Sequence, residues 1–259
     1  MQRDPLSHKG QNGKVAVIGG SRFMHGAPIL AAKAAEASGV DLVYLMLPDC
    51  HANVARTYAL NVQVHPFMHD ELSPEDVEPI LELLATMDAA VIGPGIERES
   101  ANSGALREII ASASCALVLD AAALQPWTLE EMKNKRCVLT PHLGELEHMN
   151  IDQKNIGQAA KKSGCVILLK GHVDRIADTD GTITEIAGGN AGLTVGGTGD
   201  TLAGLTAGLI AQGMENAEAA RKASGIIKRA GDLLQKSYGY AYGAARVIDQ
   251  IPRLLRDDQ

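Results

Sequence analysis

The segment KVAVIGGS, residues 14–21, sets the pattern of this chain: a short apolar run rich in β-branched residues ends in two glycines and a serine. Later runs share its nearly continuous apolar character: residues 41–47, 61–64, 89–92, 116–119, 137–139 and 166–169. Such strands are buried on both faces, and the helix-length segments between them supply the crossovers that parallel neighbours require. The sequence therefore predicts an α/β fold with a mostly parallel central sheet and helices on both faces.

The pattern changes after residue 170. Two short extended runs, residues 174–177 and 182–186, flank the turn-forming tetrapeptide Asp178-Thr179-Asp180-Gly181, which predicts a β-hairpin. Three helices are predicted towards the C-terminus, over residues 201–212, 215–236 and 241–255. The order of elements is thus a βαβ series, then a hairpin, then helices.

Length and composition favour one large domain. With 259 residues and 46% hydrophobic content, the chain suits a single core, which we assign to residues 14–259 after a flexible polar lead over residues 1–13. No run of about 18 apolar residues occurs, and the start MQRDPLSH lacks the apolar segment of a signal peptide. We therefore expect a cytoplasmic protein without a membrane partner.

Charge and cysteine usage narrow the class of partner. The net charge is −7 and no basic run is present, which argues against nucleic acid and favours small molecules. The four cysteines are widely separated and are expected to be reduced. We further expect a homo-oligomer, preferably a tetramer, and the low aromatic content and small-residue-rich C-terminal half are compatible with close helix packing between subunits.

The segment GGNAGLTVGGTGD, residues 188–200, carries the strongest chemical signal. A glycine-rich loop that opens into a helix presents unpaired N–H groups at the positive end of the helix dipole, where a phosphoryl group can be held. A carboxylate is a costly neighbour for phosphate unless it takes the proton from an attacking hydroxyl. We therefore expect an enzyme in which Asp200 is the base and Gly197, Thr198 and Gly199 form the anion hole.

Several strands end in polar or glycine residues: Gly19–Ser21, Gly93–Gly95, Asp120, Thr140–His142 and Lys170–Gly171. In open parallel sheets, ligands bind at the carboxyl ends of the strands. These residues are therefore expected to form one continuous rim, on which the glycine loop also lies.

Taken together, these motifs resemble the ribokinase-like superfamily and, within it, the ADP- or ATP-dependent NAD(P)H-hydrate dehydratases. The resemblance runs from Val15 to Pro252. It rests on three segments similar to the family's substrate loops and on segments similar to its nucleotide and anion-hole motifs: Gly19-Gly20-Ser21 with Gly26-Ala27-Pro28, Gly93-Pro94-Gly95, Thr140 to Glu145, Lys170-Gly171, Gly189 to Gly192 and Gly196 to Gly204. The implied fold is a ribokinase-like three-layer sandwich.

The resemblance also implies a metabolite-repair reaction. A hydroxyl on the ring of hydrated NADH or NADPH is phosphorylated from ADP or ATP, and phosphate then leaves, so the enzyme is a carbon–oxygen lyase. ADP is the donor in the bacterial and archaeal forms. We expect Mg²⁺ to accompany the nucleotide, with no ligand residue assigned to it.

The resemblance assigns residues to both substrates. Those expected to contact the hydrated dinucleotide are Ala27, Gly95, His142 and Asp200. Those expected to line the nucleotide are Lys170, Gly171, His172, Val173, Asp174, Asn190 and Gly199.

Plainer explanations stay open for several of these residues. Ala27 and Gly95 could be small only to let loops pack, and Lys170 could be a solvated charge at a strand end. His142 could cap the next helix over residues 144–149, and Glu145 could be a first-turn acid favoured by the helix dipole.

Three positions depart from the family's pattern. Ala122 stands where a second aspartate is usual after the fifth strand, and a methyl group cannot hold a cation or accept a hydrogen bond. Met24 replaces a common aromatic residue. Asp174 replaces a usual threonine, and its charge should weaken nucleotide binding unless Arg175 or Mg²⁺ offsets it.

Three functions remain compatible with the sequence. The first is the hydrate dehydratase. The second is a small-molecule kinase of the same superfamily, for which Asp200 and the anion hole would serve equally well. The third is a nucleotide-binding sensor without turnover, which Ala122 and Asp174 favour and the presence of Asp200 disfavours.

Overall fold

The computed structural model describes residues 3–98, 103–133 and 135–258. The described residues form nine strands in one sheet. They are β1 (Lys14–Ile18), β2 (Leu42–Leu47), β3 (Gln63–Pro66), β4 (Ala89–Ile92), β5 (Ala116–Leu119), β6 (Cys137–Leu139), β7 (Val166–Leu169), β8 (Asp174–Ala177) and β9 (Ile183–Ile186). The sheet order is β3-β2-β1-β4-β5-β6-β7-β8-β9.

The first seven strands pair in parallel, and β8 and β9 add an antiparallel hairpin at one edge. The chain order reverses between β1 and β4, which are neighbours in the sheet. In open α/β sheets a crevice forms at such a switch point, outside the carboxyl ends of the strands. The loops after β1 and β4 therefore flank a natural binding crevice.

Helices cover both faces of the sheet. They are α1 (Gly26–Ala37), α2 (Ala52–Tyr58), α3 (Val77–Leu84), α4 (Ser103–Ser112), α5 (Thr128–Glu131), α6 (Leu143–His148), α7 (Ile156–Ser163), α8 (Thr198–Ala211), α9 (Asn216–Tyr238) and α10 (Ala244–Asp257). Successive side chains of a strand point to opposite faces. Val15 and Val17 accordingly join the core under α1, α8, α9 and α10, whereas Ala16 and Ile18 join the core under α3, α4 and α7.

Helices α1 and α8 lie in close contact along their length. A Cβ atom on Gly204 would lie 2.0 Å from the carbonyl oxygen of Ala31, and one on Gly208 would lie 2.1 Å from Ser38 Oγ. Only glycine permits this approach. Since α1 begins directly after the β1 loop, the seam brings the N-terminus of α8 to the same edge of the sheet.

The predicted fold class, strand order along the chain and hairpin are confirmed. The third strand begins at Gln63 rather than at residue 61, because Val62 N still donates to Ala59 O in the preceding turn. Helix α8 begins earlier than expected, at Thr198, because Thr201 N already donates to Gly197 O. Helix α10 begins later, at Ala244 rather than at residue 241.

The domain boundaries stay a prediction. Within the lead, Gly10 N and Asn12 N both donate to Asp41 Oδ2, while residues 1 and 2 lie outside the described part of the chain. Of the helices that the structure describes, none combines the length and apolar character needed to cross a bilayer.

Candidate active site

A cavity of about 720 Å³ opens at the carboxyl ends of β6 and β7. One wall is the segment from Lys170 to Asp174, and the facing wall is the glycine loop over residues 188–199. Ile227 and Lys228 of helix α9 form the floor of the cavity. Apolar side chains of Leu193, Val195 and Leu202 line it as well, so it combines an apolar slot with a polar end, as nucleotide pockets do.

The polar end of the cavity is the start of α8. Gly197 is the N-terminal cap, with φ 95°, and Thr198 Oγ1 donates to the carbonyl oxygens of Leu193 and Val195. The Thr198 hydroxyl therefore closes the loop, and what the helix offers a ligand is its first-turn N–H groups. This geometry fits the predicted anion hole.

Asp200 lies in that first turn, directly after Gly199, which lines the cavity. Burial, together with the nearby charge of Asp120, raises the pKa of Asp200 from 3.8 to about 6, although Lys170 opposes the shift. The carboxyl group is thus ionised at neutral pH yet basic enough to accept a proton, as a general base requires.

Lys170 forms an ion pair that faces the same helix start. Its Nζ lies 2.8 Å from Asp120 Oδ1 and 3.6 Å from Glu145 Oε2. Burial alone would lower the pKa of Lys170, but these two carboxylates outweigh it and raise the pKa. A Cβ atom on Gly199 would lie 3.4 Å from Lys170 Nζ. The ammonium therefore stays charged beside the anion hole, and Lys170 is not a solvated charge at a strand end.

The third predicted substrate loop is organised by Glu145. His142 Nδ1 accepts from Glu145 N at 3.2 Å, and Glu145 Oε2 accepts from His142 N at 2.9 Å, so the two residues cap α6 reciprocally. Arg98 Nη2 donates to Glu145 Oε1 at 2.7 Å. His142 thus does cap the helix, yet its side chain is 57% exposed and the residue lines the cavity, so it also remains available to a ligand.

The first and second predicted substrate loops meet at the switch point. A Cβ atom on Gly95 would lie 3.3 Å from Ala27 Cβ and 3.3 Å from Gly20 Cα. A Cβ atom on Gly93, whose φ is +120°, would lie 1.9 Å from the carbonyl oxygen of Asp120. Ala27 and Gly95 are therefore brought together as predicted, and close packing alone already requires small residues there.

In the cavity wall from Lys170 to Asp174, the negative charge of Asp174 is compensated by a different residue from the one expected. Asp174 is buried, accepts from Gly171 N and Ser224 Oγ, and lies 3.4 Å from Lys228 Nζ. Arg175 instead points away, donating to Gln153 O. The compensating cation is thus Lys228 rather than Arg175.

The remaining predicted nucleotide residues differ in their placement. Lys170, Gly171, His172, Asp174, Asn190 and Gly199 all line the cavity, whereas Val173 lies outside the lining. Asn190 Oδ1 accepts from Gly192 N and from Tyr242 OH. The Asn190 side chain therefore shapes the loop, and its contact with a ligand would come through its backbone.

The other two departures from the family's pattern, Ala122 and Met24, also have a clear setting. Ala122 is 1% exposed within an apolar cluster. Met24 is half-exposed, but Phe23 beside it is 79% exposed, so an aromatic ring is present in the first loop after all.

Sequence reasoning missed a row of polar residues on α9. Ser224, Lys228 and Asp232 follow one another at a spacing of four, which places them on one face of the helix. Ser224 and Lys228 are buried there. The signal available in the sequence was the spacing of four between these polar residues. Their burial, which the structure adds, requires each charge to have a partner, since an unpaired buried charge is costly.

Comparison with known proteins gives a consistent result. The family model described as NAD(P)H-hydrate dehydratase matches residues 15–253. The ADP-dependent (S)-NAD(P)H-hydrate dehydratase of Nitrosopumilus maritimus is 35% identical over 98% of this chain and 92% of its own length. The bifunctional NAD(P)H-hydrate repair enzyme Nnr of Methanopyrus kandleri is 36% identical over 99% of this chain, which spans only 52% of that relative.

Solved structures agree. A ribokinase-like superfamily protein from Enterococcus faecalis superposes with a TM-score of 0.87 at 25% identity, covering 99% of this chain and 91% of its own. The ADP/ATP-dependent NAD(P)H-hydrate dehydratase of Bacillus subtilis, co-crystallized with ATP/Mg²⁺, superposes with a TM-score of 0.84 at 26% identity, covering 100% of this chain and 94% of its own. The predicted ribokinase-like fold is confirmed.

Proposed function

This chain belongs to the NAD(P)H-hydrate dehydratase family, and we propose that it is an ADP- or ATP-dependent enzyme that removes water from hydrated NADH or NADPH. The family predicted from the sequence motifs is thereby confirmed. The observation that carries the activity is the meeting of Asp200, with its pKa of about 6, and Lys170 at the start of α8.

The proposed reaction has two steps. In the first, Asp200 takes the proton of the ring hydroxyl while that oxygen bonds to the terminal phosphorus of the nucleotide, and the bond from phosphorus to the nucleotide oxygen breaks. The N–H groups at the start of α8 and the Lys170 ammonium stabilise the charge on the transferring group.

In the second step the bond between the ring carbon and that oxygen breaks, and phosphate leaves with the electron pair of the bond. The departing phosphate takes a proton from a neighbouring ring carbon, and the electron pair of that C–H bond restores the dihydronicotinamide double bond. Phosphorylation thus replaces hydroxide, a poor leaving group, with phosphate, a good one.

The cavity and the loops at the switch point support a placement for each substrate. The nucleotide lies in the 720 Å³ cavity, with its phosphates towards Gly199 and Lys170. The hydrated ring enters from the switch point, past Ala27 and Gly95, with His142 between the two substrates. This placement puts the reacting atoms beside Asp200, which is close enough to Asp120 and Lys170 to feel their charges.

The chain fits a magnesium ion that arrives with the nucleotide rather than one held by protein alone. Among the described residues, no group of three or more His, Cys, Asp and Glu side chains could hold a metal. Asp120 Oδ1 is taken by Lys170 and Thr140, which leaves Asp120 Oδ2, near Gly199, for a cation or its water. Mg²⁺ commonly binds through one or two carboxylates plus phosphates, and there it would screen the phosphate charge.

The decisive experiment combines the protein with hydrated NADH or NADPH, Mg²⁺ and either ADP or ATP, and follows dihydronicotinamide absorbance together with the nucleotide product. We expect absorbance to recover in step with formation of AMP or ADP. Nucleotide consumption only with another alcohol, which stays phosphorylated, would identify a kinase. Nucleotide binding without any consumption would identify a sensor.

We propose that ADP is preferred over ATP as the phosphoryl donor, because the archaeal relatives are ADP-dependent enzymes by name. The homo-oligomer, with a tetramer preferred, and the cytoplasmic location stay predictions.

A further inference from the structure

We propose that Lys228 and Asp232, one turn apart on α9, are positioning residues that tie the two walls of the nucleotide cavity to one helix. The inference rests on the proposed function in one respect: it takes the occupant of the cavity to be an adenine nucleotide. It adds residues on α9 that neither the motifs nor the family match singles out.

The Lys228 ammonium lies at the floor of the cavity and bonds to both walls. Its Nζ lies 3.0 Å from the carbonyl oxygen of His172 and 3.2 Å from that of Gly171, both on the first wall, and 3.4 Å from that of Gly188 on the facing wall. An ammonium has three N–H donors, so these carbonyl oxygens account for all of them. One side chain therefore sets the separation of the two walls.

Burial makes this arrangement rigid. Lys228 is only 6% exposed, and a buried ammonium must be paired and hydrogen-bonded. Asp174 supplies the opposite charge at 3.4 Å and is fixed in turn by Gly171 N and Ser224 Oγ. The pair is electrically neutral, so its effect on a bound phosphate is mainly geometric.

Asp232 binds the facing wall, which is the glycine loop. Its Oδ2 accepts from Gly189 N at 3.1 Å, and its Oδ1 accepts from Asn190 Nδ2 at 3.4 Å. Asn190 then holds Gly192 N and Tyr242 OH through its own oxygen. The glycine loop, which would otherwise have many accessible conformations, is thus anchored to α9 just before the anion hole.

Geometric positioning has a distinctive signature. If α9 holds the two walls at the correct separation, then loosening the walls weakens the binding of every ligand that fits between them, whether or not the ligand carries phosphate. A purely electrostatic role would weaken ADP and spare adenosine.

The test uses the variant Asp174→Asn with Lys228→Met, which removes both charges at once and keeps an oxygen to accept from Gly171 N. Calorimetry measures ADP binding, and displacement of ADP measures adenosine binding. We expect both affinities to fall by about tenfold, with the KM for ADP rising more than kcat falls. The matched control is Lys236→Met on the exposed face of α9, which should bind both ligands as the native protein does.

Asp232→Ala is the second variant, because Asp232 is only partly buried and its loss should leave folding intact. It too should weaken both ligands, by about threefold to tenfold. Native affinity of this variant for both ligands, or a loss by the double variant confined to ADP, would overturn the proposal. Failure of the native protein to bind ADP or ATP would instead overturn the proposed function.

Discussion

The two sides of the active site are held together in different ways. On the nucleotide side, side chains of α9 reach across to the segment from Lys170 to Asp174 and to the glycine loop, mainly through the buried ammonium of Lys228. On the substrate side, the loops after β1, β4 and β5 touch backbone to backbone, with Gly93 against the Asp120 carbonyl and Gly95 against Gly20.

This difference has consequences for tolerance to change. Side chains such as Lys228 and Asp232 can be replaced one at a time without moving the backbone, so the nucleotide side can be loosened in steps. Backbone contacts with no room for a Cβ atom cannot be varied without moving a strand end. The substrate side should therefore fail abruptly under mutation and the nucleotide side gradually.

Asp200→Asn removes the group that acts on both substrates, and it should have the largest effect on turnover. Without a proton acceptor, turnover should fall by about 10² to 10⁴, while ADP affinity is retained. Steady-state kinetics and calorimetry test this. Turnover close to that of the native protein would remove Asp200 from the mechanism.

The same variant carries its own folding control. Because burial raises the pKa of Asp200, the carboxylate that is ionised at neutral pH makes the folded protein less stable relative to the unfolded chain. Removing that charge should raise the unfolding temperature at neutral pH, so lost turnover combined with a higher melting point would exclude misfolding as the cause.

Gly93→Ala tests the substrate side. The new Cβ atom would lie 1.9 Å from the Asp120 carbonyl oxygen, at a φ of +120° that alanine rarely adopts. We expect the free energy of unfolding to fall by about 3 kcal/mol or more, measured by urea denaturation.

Gly225→Ala is the matched control on the nucleotide side. Gly225 lies within α9, where an added Cβ would meet no described atom within 4 Å beyond its chain neighbours and the adjacent backbone of the helix itself. Alanine in a helix interior should stabilise the protein by about 0.5 to 1 kcal/mol. Equal effects of the two substitutions would contradict the contrast drawn between the two sides.

The pH dependence of kcat/KM should be the gentlest of these effects. With a pKa of about 6, Asp200 loses its capacity to accept a proton as the pH falls, so log kcat/KM should drop with unit slope below about pH 6 and level off above it. The residual activity of Asp200→Asn should lack this inflection, and a flat native profile between pH 5 and 8 would contradict the assignment.

Stability should respond to the same group in the opposite direction. Since the pKa is higher in the folded state than its ordinary value of 3.8, the folded protein binds the proton more tightly. The contribution of Asp200 to stability is therefore present below about pH 4 and lost as the pH rises through about 6.

The sequence alone predicted the strands, the hairpin and the glycine loop before α8, because each depends on residues that are neighbours in the chain. It predicted that Ala27 and Gly95 lie together, and that Lys170 and Gly199 share a pocket, through the resemblance of whole motifs. It did not predict Lys228 as the partner of Asp174, and Arg175 was the wrong choice for compensating that charge.

The fold class and the family of this protein were thus determined by the order of apolar runs and glycine turns. That order is visible in the sequence because each run and turn depends on residues that are neighbours in the chain. The tertiary structure alone decided how the charges pair. Lys170 and Asp120 are 50 residues apart, and Lys228 and Gly171 are 57 apart. Such partners meet only after the strand register and the position of α9 on the sheet are fixed. Burial then determines which charges must pair, and it also sets the pKa of Asp200.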